Sequence, residues 1–266
     1  MKKEYTGNDV TIVICAYKEC EYLEECIQSV VNQTVKTNVV ISTSTPNEFI
    51  QTLADKYGLS MWINKDGGHA KDYNFAINMT PTDICIMAHQ DDLIHPDFVK
   101  ESLRSINAAR DPVIAFTNYK EMHDRVLDTK DSTMVKIKRM LLFPMKFKFW
   151  RGTRLGKRCC LSFGDPITHP SVTYIKAKMP RDCFREQYIS AMDWDLFQRL
   201  SKEKGDFVYV DKVLFYHRMH QGTATAKLIG ETNNRYLEDL EILCRFWPKP
   251  IAKLIMWPYS KAQRYY

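Results

Sequence analysis

The sequence predicts an α/β fold with a mostly parallel central sheet and helices on both faces. Short β-branched apolar runs alternate with helical patterns of about 10–15 residues, the spacing of crossover units in a parallel sheet. The runs are apolar enough for strands covered on both sides. One of them, in ICIMAHQDDLIHP (84–96), ends in two adjacent carboxylates, Asp91 and Asp92. Two like charges at a strand end gain nothing from burial unless something positive joins them. A parallel sheet binds its ligands at that end of its strands.

The elements follow in order. VTIVICAY (10–17) is a buried strand. In the next stretch Leu23, Cys26, Ile27, Val30 and Val31 fall on one face of a helix. NVVIS (38–42) is a second strand, NEFIQTLADKYG a helix stopped by Gly58, and MWIN (61–64) a short strand. HAKDYNFAINM is a helix, DICIMAH (83–89) the next strand, and HPDFVKESLRSINAA a helix with Pro96 in its first turn. After PVIAFTNY (112–119) the pattern breaks, and residues 120–160 read as basic and irregular. ITHPSVTYI then reads as strand-like, DWDLFQRLSKEKG as a helix, and DFVYV and VLFYHRMH as two strands. A last helix is expected from about Glu231 to Phe246. The rim at the strand ends holds Ala16–Tyr17, Ser42–Thr45 and His89–Asp92.

The 266 residues, 45% hydrophobic and 26% charged, suit one large α/β domain or one with an added subdomain, not a disordered chain. Eight cysteines form no CxxC pair or other zinc spacing, so free thiols in a reducing compartment are expected. Residues 1–9 are polar and charged, so no secretory leader is expected, and no apolar run approaches the ~20 residues of a membrane span.

Several motifs occur together. VTIVICAYKECEYLEECIQSVVNQT resembles the opening strand and helix of family-2 glycosyltransferases. GGHAKDYNFAINMTPTDICIMAHQDD resembles the helix and strand leading to that family's Asp-x-Asp metal motif. SAMDWDLFQRLSKEKGDFVYVDKVLFYHRMHQGTAT resembles its acceptor-side helix and closing Arg-x-His segment. The match covers roughly residues 10–120 and 160–226, and the motifs' order and spacing are more specific than any one of them.

The resemblance implies a GT-A fold, like that of nucleotide-diphospho-sugar transferases. It also implies inverting transfer from a nucleotide-sugar and a divalent ion, Mn2+ or Mg2+. Carried over by position, Asp91 is the second aspartate of Asp-x-Asp and Asp92 follows it. Asp193 matches the general base, and Arg218 and His220 the segment near the diphosphate. His220 is a candidate metal ligand with Asp91 and Asp92. Tyr17, Ser42, Asp66, His89, Gln90 and Arg218 are the donor-side candidates, and His169 and Trp194 the acceptor-side ones. Two departures stand out. His89 occupies the first aspartate's place, although imidazole also binds Mn2+. STSTPN (42–47) replaces the family's Asp-Asp-Gly-Ser run, so the base is not carried over, and a UDP-sugar is the expected donor.

The residue types suit these roles. A carboxylate-held cation neutralises a departing diphosphate, and a carboxylate can take the acceptor's proton. Competing readings exist for each. Asp91–Asp92 could be a solvated acidic turn at a helix N-terminus. Asp193 and Asp195 could both be helix-start charges. His220 and His169 could be structural, Lys65–Gly68 a simple turn, and Tyr17 a strand end. A nucleotidyltransferase would use similar groups, but CAYKECEYLE lacks the glycine-rich phosphate loop of such enzymes. A non-catalytic nucleotide-binding homologue is the other alternative.

Residues 134–158 contain nine Lys or Arg, no acid, and several aromatic and aliphatic side chains. That mixture suits an anionic membrane surface. A solvated loop packed on the core is the competing reading, and no nucleic-acid module accompanies the charge. The expected organisation is one domain. Residues 1–120 form its donor half, 121–162 a basic aromatic insertion in contact with membrane, 163–230 the acceptor half, and 231–266 a helix and basic aromatic tail. The expected setting is cytoplasmic, peripheral on the inner membrane face, beside a lipid-linked saccharide acceptor for a surface polysaccharide.

Overall fold

The computed structural model describes residues 3–220 and 234–262. The start of the expected last helix (231–233), residues 221–226 of the closing motif and the end of the tail (263–266) lie outside them.

Strands β1 (Val10–Ala16), β2 (Asn38–Thr43), β3 (Ser60–Ile63) and β4 (Ile84–His89) are mutually parallel, in the order β3-β2-β1-β4. Helices α1 (Leu23–Val31), α2 (Glu48–Tyr57) and α3 (His69–Met79) connect them. Both faces are covered because alternate residues point opposite ways along a strand. Ile12 and Ile14 of β1 face one apolar cluster with Ile27 of α1 and Ile50 of α2, and Val13 faces the other with Ala76 of α3. Gly58 ends α2 as expected. Its φ of 62° lets its N–H reach back to the Ala54 and Asp55 carbonyls.

Beyond β4 the order continues with β8 (Val172–Ile175), β6 (Pro112–His123), β9 (Asp206–Met219) and β5 (Leu93–Ile94), and β7 (Val126–Leu127) pairs with β6. β8 (Val172–Ile175) is antiparallel to both β4 and β6. The strand expected from residue 167 begins only at Val172. Residues His169–Ser171 form a 3-10 turn instead, and Pro170 within it has no N–H to give a ladder. The two strands expected over 206–220 are one, β9 (Asp206–Met219), paired parallel to β6 with register shifts around Thr117–Tyr119 that absorb the break. Two residues unassigned in sequence, Leu93–Ile94, form β5, antiparallel to Phe215 and Tyr216 of β9. α4 (Phe98–Ala108) follows.

Residues 120–160 correct the expectation of irregularity. β6 runs on to His123, and α5 (Thr133–Leu142), α6 (Lys148–Arg151) and α7 (Arg154–Leu161) follow β7. Ser132 and Thr153 cap α5 and α7, and Pro144 sits in the 3-10 turn between α5 and α6. α8 (Met192–Leu200) ends before the expected Gly205. α9 (Asn234–Leu243) and α10 (Lys249–Ala262) complete the described chain. All eight cysteines are free. Among the described residues no helix is long and apolar enough to cross a membrane.

Candidate active site

The carboxyl ends of β1, β2 and β4 are tied by polar side chains. The Gln90 amide accepts from the Tyr17 N–H (2.8 Å) and donates to the Tyr17 carbonyl (3.0 Å). Lys18, held at φ 55°, donates its N–H to Thr45 Oγ1 at 2.6 Å. Asp72 of α3 accepts from Ser44 (2.8 Å) and Asn64 (2.7 Å), joining the ends of β2 and β3. Tyr17 is 52% exposed at this rim. Asp66 is exposed in the turn before Gly67 and Gly68, whose φ values of 59° and 111° suit glycine.

β4 delivers His89 and β5 pulls the chain onto β9, so Asp91 and Asp92 occupy a short turn pressed against the end of β9. Asp92 is buried. Its Oδ1 accepts from the Arg218 N–H (2.8 Å) and His217 Nδ1 (3.1 Å), while its Oδ2 has no hydrogen-bond partner among the described residues. His220 Nε2 lies 3.1 Å from Asp91 Oδ2. His89 Nδ1 lies 3.8 Å from Asp92 Oδ2. One ligand atom from each of His89, Asp91 and Asp92 falls within 4.8 Å of the others.

His89 Nε2 is held from behind by Tyr73 Oη (2.9 Å) and His169 Nδ1 (3.1 Å), and Tyr73 Oη meets His69 Nε2 at 3.0 Å. Burial pushes the His89 imidazole down to about 4, against the opposing pull of Asp91, so the ring is neutral near pH 7. Nε2 is the atom in the bonded network. A proton donated from it leaves the Nδ1 lone pair facing Asp92. A neutral nitrogen, a partly exposed carboxylate and a buried carboxylate oxygen without a hydrogen bond make a donor set that fits a divalent cation.

Five residues expected to contact a ligand are turned inward or tied to the fold. Arg218 does not present its guanidinium to a diphosphate. It is fully buried over the Tyr22 ring, donating to the Asp91 and Asp124 carbonyls and to Glu25 Oε2. Gln90 has both amide atoms on Tyr17. Ser42 is buried within β2, and the polar groups at that strand's tip are Ser44 and Thr45. Trp194 is core: it is 4% exposed and its indole N–H donates to the Leu161 carbonyl at 3.1 Å. His169 is also buried, as the inner partner of His89.

α8 carries Asp193, the residue expected to act as the base, and Asp195. Its two acids separate by face, being two residues apart. Asp195 is wholly buried among Arg199 (2.8 Å), Arg245 (2.6 Å) and Arg185 (3.7 Å). Asp193 is partly buried and accepts from the Trp194 N–H at 2.9 Å. Burial pushes the Asp193 carboxyl up, with the Trp194 N–H and then Lys138 opposing. Asp165 is pushed well up by burial and by the Asp193 charge. Glu238 of α9 accepts the N–H groups of Ile189 (3.0 Å), Ser190 (2.9 Å) and Ala191 (3.0 Å), which caps the start of α8.

Sequence reasoning missed Tyr73, His217, Asp165, Lys138 and Glu238. His217 is a polar residue near the end of β9 and could have been flagged as such, whereas Tyr73 lies within α3 and carries no strand-end signal. Asp165, Lys138 and Glu238 come from remote segments with no spacing to the site.

The model of the family described as "Glycosyl transferase family 2" matches residues 11–172. An uncharacterized glycosyltransferase of Rickettsia typhi is 24% identical over 264 residues, 96% of this chain and 75% of that one. Among solved structures, S. aureus TarS 1–349 in complex with UDP-GlcNAc is similar with a TM-score of 0.63 at 17% identity, covering 91% of this chain and 72% of that one. Mannosyltransferase PcManGT from Pyrobaculum calidifontis, in complex with GDP-Man and Mn2+, is similar with a TM-score of 0.62 at 14% identity, covering 94% and 68%. The family match spans well over half of the chain, and the sheet order and the strand-end site agree with it: the chain belongs to glycosyl transferase family 2 and is a glycosyltransferase with the GT-A fold.

Proposed function

We propose that this enzyme transfers a sugar from a UDP-sugar, with inversion, to a lipid-linked saccharide in surface-polysaccharide synthesis. The observation that carries the reading is the His89–Asp91–Asp92 donor set at the carboxyl end of β4. The partly buried Asp193 in the first turn of α8 is the second acidic group the reading uses. Asp91, Asp92 Oδ2 and His89 Nδ1 would hold Mn2+ or Mg2+, which when bound supplies positive charge for the departing diphosphate. Tyr17 and Asp66 at the rim line the donor side. Asp193 accepts the acceptor hydroxyl's proton as the oxygen attacks the anomeric carbon and the bond to the diphosphate breaks. Attack from the face opposite the leaving group inverts that carbon. TarS with UDP-GlcNAc and PcManGT with GDP-Man and Mn2+ support the donor class and the ion.

In the proposed organisation, residues 1–120 bind donor, 163–230 bind acceptor, and 121–162 with the C-terminal tail contact the cytoplasmic face of an anionic membrane. Exposed Met140, Phe143, Phe147, Phe149 and Leu155 support the membrane reading.

Two variants test the roles. Asp193→Asn should lose about 10²–10⁴ in transfer while binding UDP with unchanged affinity. Asp91→Asn should lose both transfer and the Mn2+ dependence of UDP binding, read by calorimetry. A donor panel with UDP and GDP sugars and NMR of the product's anomeric centre check the donor and the inversion. Full transfer by either variant, or a retained configuration, overturns the corresponding role.

A further inference from the structure

An imidazole in the first position of the acidic turn brings a requirement that a carboxylate does not. A neutral ring binds a cation only through its unprotonated nitrogen, so its proton must be held on the other one. His89 Nδ1 faces the acidic turn, 3.8 Å from Asp92 Oδ2. His89 Nε2 faces the interior, 2.9 Å from Tyr73 Oη and 3.1 Å from His169 Nδ1. Tyr73 comes from the middle of α3 and is buried. Its ring lies parallel to that of His89, with 7° between the planes and 5.5 Å between the centroids. His169 and Phe184 close round it at 4.6 and 5.3 Å. Asn74, the next residue of α3, fixes this wall by bonding the Phe184 carbonyl (2.7 Å) and N–H (2.9 Å). One turn earlier on α3, the exposed His69 brings its Nε2 to 3.0 Å from the same Tyr73 hydroxyl. A hydroxyl has one proton and two lone pairs. When that proton goes to His69 Nε2, the oxygen is left to accept from His89 Nε2.

We propose that Tyr73 is a positioning residue for the divalent cation: its hydroxyl donates to His69 Nε2 and accepts the proton of His89 Nε2, which keeps the His89 Nδ1 lone pair open toward the acidic turn. The proposal rests on the reading of His89, Asp91 and Asp92 as the cation site. The opposite arrangement, in which the hydroxyl or His169 donates to His89 Nε2, puts the His89 proton on Nδ1. That N–H points at Asp92 Oδ2 from 3.8 Å, beyond hydrogen-bond reach, and leaves this buried oxygen without a partner among the described residues. In the proposed arrangement one ion serves both Nδ1 and Oδ2. The nitrogen also sets a preference. Imidazole suits transition-metal ions better than Mg2+, whereas carboxylates suit both. Holding Nδ1 open therefore favours Mn2+ over Mg2+, through a hydroxyl that does not itself touch the ion.

Tyr73→Phe removes one oxygen and keeps the ring in its packing. With UDP present, Mn2+ affinity, followed by the electron paramagnetic resonance of free Mn2+, should fall about tenfold or more. Mg2+ affinity, read by calorimetry, should change little. In a His89→Asp background Tyr73→Phe should cost no further Mn2+ affinity, because a carboxylate has no tautomer to fix. Nitrogen NMR of the labelled wild-type imidazoles near neutral pH should find the His89 proton on Nε2, and this reading stands even where thermal melting shows that a variant does not fold. Unchanged Mn2+ affinity in folded Tyr73→Phe, equal losses for the two ions, a further loss in the His89→Asp background, or a proton on His89 Nδ1 overturns the proposal. Asp91→Asn separates the two ideas. If it binds Mn2+ as the wild type does, the cation site fails and the Tyr73 proposal falls with it. If it loses Mn2+ while folded Tyr73→Phe keeps it, only the Tyr73 proposal fails.

Discussion

Every nitrogen of the Arg218 guanidinium is bonded within the fold. Nε donates to the Asp91 carbonyl at 2.7 Å, one Nη to the Asp124 carbonyl and the other to Glu25 Oε2 at 2.8 Å. Its main-chain N–H fixes Asp92 Oδ1. One residue thus holds both the backbone and the side chain of the acidic turn. A buried guanidinium is costly to desolvate, and here the three acceptors and the Tyr22 face offset that. Arg218→Met leaves Glu25 Oε2 and two carbonyls without their donor, although Glu25 Oε1 keeps Arg125. It should cost about 3–5 kcal/mol of stability, read by urea melting. Arg218→Lys should recover little, since an ammonium cannot match three acceptors laid out for a planar fork. A variant of wild-type stability with weakened UDP binding would restore the diphosphate role instead.

At the scale of elements, α8 is held by α9. Glu238 gathers three main-chain N–H groups and the Ser190 hydroxyl (2.8 Å) at the start of α8, and Arg245, just beyond α9, reaches Asp195. A carboxylate beside a helix N-terminus is favoured by the helix dipole, and this one comes from another element, binding Ala191 at the N-cap and the two residues before it. Asp193 sits in the first turn so capped. Glu238→Gln keeps the shape but loses the charge and half of the acceptors. It should destabilise the protein by about 1–3 kcal/mol and lower kcat more than donor affinity, because the base moves and the strand-end turn does not. Equal losses in kcat and UDP affinity would show that α8 and the acidic turn are not independently held.

At the scale of the molecule, the basic insertion is two surfaces rather than one. Arg139, Lys146, Arg151, Lys157 and Arg158 have partners within the protein, and Lys157 is buried, donating to the Glu203 and Gly205 carbonyls. Lys136, Lys148 and Arg154 are exposed beside the aromatic run Phe143, Phe147 and Phe149, whose rings touch in sequence. Membrane binding through this face should depend on the rings as much as on charge. Co-sedimentation with anionic vesicles should fall sharply for Phe147→Ser/Phe149→Ser. Lys136→Gln/Lys148→Gln/Arg154→Gln should bind more weakly, and increasingly so with salt. Unchanged binding in both, or none by the wild type, removes the membrane contact.

The sequence by itself determined the parallel half of the sheet, because its strands and helices are written in local periodicity and end at local signals such as Gly58. It also singled out Asp91, since a charge at the end of an apolar run is visible without a fold, while Asp193 was picked out only by the motif it shares with the family. Only the tertiary structure decided what those charges meet. Arg218 and Trp194 read as ligand-facing from their motifs, yet β5 pairing with β9 turns the first into a tie beneath Asp91, and packing against Leu161 takes the second into the core. Lys138 read as one of nine surface cations until α5 set it over the Tyr119 ring. Burial and long-range partners are properties of packing, and no local pattern encodes which cation of a basic run packs over an aromatic ring of a distant strand.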